Sequence, residues 1–128
     1  MLATCPTSEM EINQGLLFFD LMTGGWILVS TVLATTDPKN ANPPGMAPWF
    51  IGLSATAVGL SYGSRSGGAA NPARDFGPRL MALLIWGEQA FSGSDQVVNS
   101  QHFFWLPLVA PAVGGALGKR TRMNSNLD

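Results

Sequence analysis

Residues 67–80 read "GGAANPARDFGPRL" and lie between apolar runs long enough to cross a lipid bilayer. Asn71 suits the N-cap of a helix, and Pro72 suits its first position because proline has no N–H to lose. Running from Pro72 to about Leu84, such a helix is roughly 20 Å long, too short for ~30 Å of hydrocarbon. Its N-terminus carries about half a positive charge and unpaired N–H donors, and Arg74 in the first turn adds a full charge of the same sign. On dipole grounds that costs about 0.3–1 kcal/mol, and burial near the membrane centre costs several more. A charge kept there implies nearby water, most simply a pore that repels cations and protons while Asn71 offers amide donors to a passing hydroxyl oxygen. In the plainer alternative, Asn-Pro only starts a helix and Arg74 snorkels to the interface.

Around this stretch the chain reads as membrane-embedded. Three apolar runs, 16–36, 47–63 and 102–118, each approach the ~20 residues needed to span. Pro107 and Pro111 in the third are tolerated where neighbouring helices satisfy the freed carbonyls. Residues 87–101 read as a polar loop, 37–46 as a turn-rich linker, and 119–128 as a polar tail. Lys119, Arg120 and Arg122 directly after the last run predict a cytoplasmic C-terminus, which leaves segment 1–15, with its two glutamates and no Lys or Arg, outside. Only 12% of the 128 residues are charged and the net charge is −1, which gives no electrostatic basis for binding nucleic acid. Cys5 is the only cysteine, so an intrachain disulfide or cysteine-built metal site is excluded.

The stretch 67–80, preceded by "FIGLSATAVGLSYG" and followed by Trp86-Gly87, resembles the second Asn-Pro-Ala region of the aquaglyceroporins, the glycerol-conducting branch of the aquaporins. The likeness extends to "LPLVAPAVGGALG" at 106–118 and, more loosely, to "LFFD" at 17–20 and "DPKNANPPG" at 37–45. It implies an all-α membrane protein, half of an aquaporin-like inverted repeat with three transmembrane helices and one re-entrant half-helix. Asn71, Pro72 and Ala73 would be the signature triplet. Arg74 resembles the filter arginine that donates to solute hydroxyls, and aquaporin-type pores are the general example of such an arginine and half-helix dipole excluding cations. Gly59 falls where water-selective relatives carry a histidine. Asp75, Arg79, Pro107 and Leu108 match markers of the glycerol branch, and Asp20 matches a buried acid that supports the re-entrant loops.

Alternatives stand beside several of these positions. Asp75 and Arg79 are spaced i, i+4 with the acid first, the favoured order for a structural ion pair. Asp20 also fits an interfacial position. Gly59/Gly63 and Gly114/Gly118 are both GxxxG pairs, which close helix packing accounts for without a pore. His102 with Phe103, Phe104 and Trp105 reads as an interfacial aromatic belt.

Three positions depart from the family pattern. Gly68 replaces a larger filter side chain, which should widen the constriction. Trp26 stands in the first run and should disturb packing against the half-helix. Arg65 adds positive charge at the mouth. The sequence also holds only one repeat, without the first Asn-Pro-Ala, its half-helix and the filter tryptophan. It therefore reads as a piece of a longer chain or as a partner of another. The expected activity is passive passage of glycerol, other small polyols, urea and water through a plasma-membrane channel, a homotetramer if full length, with no cofactor and no enzymatic chemistry. The competing expectation is a truncated, non-conducting membrane protein that interferes with full-length assemblies. Another inverted-repeat transporter finds little support, since Asp20 and Asp75 are the only acids in the embedded stretches.

Overall fold

The computed structural model describes residues 13–68, 70–87 and 103–125, and these form four α-helices and a short 3-10 turn with no strand among them. Cys5, Glu9, Glu11, His102 and most of the 87–101 loop lie outside the described residues, as do the side chains of Arg65 and Phe103.

Helix α1 spans Gln14–Thr36. Asn13 caps it, its Oδ1 accepting from Gly15 N at 3.1 Å and Leu16 N at 3.3 Å. The helix stops at Thr36 because Pro38 forces Asp37 into an extended conformation, φ −73° and ψ 121°. Two of its terminal carbonyls are then taken by side chains from the linker. Asn40 Nδ2 donates to Ala34 O at 2.6 Å, and Asn42 Nδ2 donates to Ala34 O at 3.1 Å and Thr35 O at 3.2 Å. Along α1, Thr31, Thr35 and Thr36 return their hydroxyl protons to the preceding turn. That satisfies them in a medium without water. Among the described residues this helix alone is both long and apolar enough to cross a membrane on composition.

Helix α2 spans Ala47–Ser66 and ends on Gly67, whose left-handed φ of 64° lets its N–H return to Gly63 O at 2.9 Å. Helix α3 spans Pro72–Trp86, about 22 Å and too short to span. Helix α4 spans Leu106–Ser125, entered through the 3-10 turn Phe103–Trp105. It starts four residues later than the apolar run and continues through Lys119, Arg120 and Arg122, so part of the expected tail is helical. Lys and Arg are good helix formers, and an apolar run marks burial in lipid rather than helix length. Pro107 stands in the first turn of α4, where its missing N–H costs nothing, while Pro111 lies inside the helix.

Helix α1 packs along α4 and, less extensively, against α2, while α3 rests on α4. The α1–α4 seam is made by small residues. A Cβ on Gly114 would overlap the Met22 carbonyl oxygen, one on Gly118 would lie 2.9 Å from Trp26 O, and one on Gly25 would press on the Pro111 backbone. Trp26 thus packs on α4 at Gly118, on the seam. The buried apolar core is small, namely Leu17, Leu21, Leu106 and Ala110 with Val58 beside α1. Meanwhile Trp49, Leu60 and Leu84 are each at least 75% exposed. So much apolar surface outside so small a core suits lipid and partner helices rather than water. At the other end Arg122 Nη2 meets Asp37 Oδ2 at 2.8 Å, tying α4 to the linker.

Candidate functional site

The site is built at the turn between α2 and α3. Two successive glycines, Gly67 and Gly68 with φ of 64° and 76°, reverse the chain so that Asn71 can start α3. Asn71 Oδ1 accepts from Ala73 N at 3.0 Å and Arg74 N at 3.4 Å. With the oxygen held inward by the cap, the carboxamide presents its Nδ2 donor to anything passing. Pro72 occupies the first helical position, as its chemistry predicts.

Arg74 is exposed, and its Nη1 donates to Gly68 O at 2.8 Å and Gly67 O at 3.3 Å. The guanidinium is therefore fixed by the turn it follows, and its Nε and Nη2 donors remain for an acceptor. The carbonyls of Gly67 and Gly68 are functional groups that the sequence reading did not single out. The Gly-Gly pair was the available signal, since only glycine adopts two successive left-handed conformations without strain. A Cβ on Gly68 would lie 3.3 Å from Arg74 Nη1 and 3.8 Å from Cζ, so the glycine leaves that side of the guanidinium uncovered.

Asp75 and Arg79 take the other face of α3. Both are buried, at 0% and 3% exposure, and Arg79 Nε meets Asp75 Oδ2 at 2.5 Å. The geometry is that of the structural ion pair, away from Arg74. Pro107 is buried and Leu108 half-buried in the first turn of α4. Gly59 lies on α2 with nothing within 4 Å of a Cβ placed on it, so it opens onto free space. Asp20 is half-buried on α1 and engaged in an interaction, one turn before Gly24. A Cβ on Gly24 would approach Val58 at 3.0 Å and the Ala70 Cβ at 3.8 Å. The segment that leads into Asn71 thus rests against α1 at Gly24, one turn after Asp20.

A short capped helix, a fixed exposed cation at its amino end and an apolar exterior occur together in this chain. The chain belongs to the major intrinsic protein family, whose model matches residues 2–120, and members of that family are passive membrane channels. It is 44% identical over 118 residues to the glycerol uptake facilitator protein of Shigella flexneri, covering 91% of this chain and 40% of that one. It is 37% identical to human Aquaporin-10 over 121 residues, 93% of this chain and 38% of the relative. The fold matches the aquaglyceroporin from Plasmodium falciparum with a TM-score of 0.74 at 28% identity, covering 91% of this chain and 46% of that structure. The chain thus spans about two fifths of the length of the curated relatives it matches.

Proposed function

We propose that this chain supplies the second repeat of a passive channel for glycerol, other small neutral polyols, urea and water, with spans near 16–36, 47–63 and 102–118 and α3 as a re-entrant half-helix. The observation that carries the reading is that the Arg74 guanidinium, held by the Gly67 and Gly68 carbonyls, and the Asn71 side chain are both exposed at the amino end of a helix too short to span. A solute hydroxyl oxygen finds the Arg74 and Asn71 donors, and its carbon side rests on apolar wall. Cations meet a full charge and a helix dipole of the same sign. Water is oriented oxygen-inward, which interrupts a proton wire. Gly59, open on α2, leaves room for a polyol carbon chain, and Asp20 steadies the segment before Asn71. The basic end of α4 is cytoplasmic, in the plasma membrane, and the full-length assembly is a homotetramer.

A second reading has its own support. Gly59 and Arg74 both open onto free space within this chain, so one copy offers one wall of a passage. On that reading the 128 residues alone do not conduct, and they join or disturb complete channels. Stopped-flow light scattering on proteoliposomes separates the two, because glycerol flux by this chain alone at the level of a full channel contradicts the second. In the complete channel, Arg74→Val should admit protons or cations while glycerol passage persists. A pH-sensitive dye inside the vesicles reads this, and an unchanged proton permeability at normal incorporation would remove Arg74 from the charge barrier.

A further inference from the structure

The end of α1, the 37–46 linker and the first half of α2 border a shallow, open groove of about 450 Å³. That lies within the ~300–1,000 Å³ of small-molecule pockets. Phe50, Leu53 and Ala57 make its apolar side, while Thr31, Thr35, Ser54, Asn40 and Asn42 make its polar side.

The hydrogens on the polar side can be counted. Thr31 Oγ1 gives its one proton to Ile27 O at 2.9 Å, so in its 3.1 Å contact with Ser54 Oγ the serine must be the donor. Thr35 Oγ1 donates to Thr31 O at 2.8 Å. Asn40 and Asn42 both direct Nδ2 onto terminal carbonyls of α1, which can only accept, so their amide orientations are fixed. The three hydroxyl protons and both Asn42 amide protons are spent within the protein, so what these five residues still offer is oxygen lone pairs and the second Asn40 Nδ2 proton. The linker's acid gives no ionic partner, since Asp37 receives Lys39 N at 2.9 Å and Arg122 Nη2 at 2.8 Å.

We propose that this groove is a binding site for a small neutral polyhydroxylated molecule. The ligand's hydroxyl protons go to Asn40 Oδ1, Asn42 Oδ1 and the Thr and Ser oxygens, and its carbon chain lies on Phe50 and Leu53. An anion finds a single amide proton, on Asn40, and no cationic side chain among the lining residues, and an organic cation finds no carboxylate among them. Acceptors dominate here, whereas Arg74 and Asn71 present mainly donors. The site is independent of conduction.

The test is a xylitol titration of the full chain in lipid nanodiscs, followed by the ¹⁵N side-chain amide signals of Asn40 and Asn42. Both signals should shift saturably. Permethylated xylitol, which keeps its oxygens but has no hydroxyl protons, should leave them unmoved. Thr31→Val with Ser54→Ala should weaken binding about ten-fold, the loss of one or two hydrogen bonds. Ala57→Phe, which fills the groove without touching a polar atom, should abolish the shifts and stands in should the double variant fail to fold. Unmoved amides up to molar xylitol, equal shifts with the permethylated compound, or unweakened binding in Ala57→Phe would each overturn the site.

Discussion

Two glycine pairs with the same spacing do opposite things in this molecule. Gly114 and Gly118 face α1, where a Cβ would overlap the Met22 carbonyl oxygen or stand 2.9 Å from Trp26 O. There the absent side chain lets two backbones touch. Gly59 faces nothing within 4 Å, and a Cβ on Gly63 would find only Gly68 N at 3.9 Å. There the absent side chain leaves space. The arginines of α3 repeat the contrast, since Arg79 is buried against Asp75 and Arg74 is exposed on the α2–α3 turn. Spacing thus states that a position is small or charged, and the element across from it decides whether that serves packing or passage.

The sharpest way to break the comparison is Gly114→Leu, which forces α1 and α4 apart. It should cost more than ~3 kcal/mol, beyond the usual penalty of overpacking, and leave little folded protein by size-exclusion chromatography in detergent. Next comes Arg79→Ala, which removes the cation from a buried Asp75 carboxylate. A loss of about 3–5 kcal/mol is expected in reversible denaturant unfolding. Gly118→Ala should cost about 1–3 kcal/mol by the same assay, with the Trp26 carbonyl and Ser30 hydroxyl forced to give way. Smallest in stability is Gly59→His, within about 0.5 kcal/mol because the added ring meets open space. Its effect should appear in flux instead, with glycerol passage through the complete channel falling while water passage persists. Equal destabilisation by Gly59→His and Gly118→Ala would erase the distinction between the two faces.

Much of the site was legible because its chemistry is local. Asn71 and Pro72 cap and start α3 through atoms two or three residues apart, and Asp75 meets Arg79 across one turn. The end of α4 was not legible, since "KRTRM" has no helix-stopping residue and a polar composition suggested a tail. Asn40 and Asn42 read as part of a turn, and both lie in one, with Asn40 N reaching Asp37 O at 3.1 Å and Asn42 N reaching Asn40 O at 2.7 Å. Their capping of α1 depends on the linker folding back on Ala34, which no spacing rule encodes. The two glycine pairs were indistinguishable for the same reason. Trp26, expected to trouble the half-helix, packs instead on α4 beside Gly118.

The central claim is that the open face of α2 and the guanidinium of Arg74 border the same water rather than lipid. It is tested by placing a cysteine at Gly59 in a Cys5→Ser background of the membrane-embedded complete channel, then timing its reaction with a small impermeant thiol reagent. Only the ionised thiol reacts, and lipid suppresses ionisation. Rapid labelling that glycerol slows is the predicted result, whereas a thiol that stays unreacted over the same time would contradict the account.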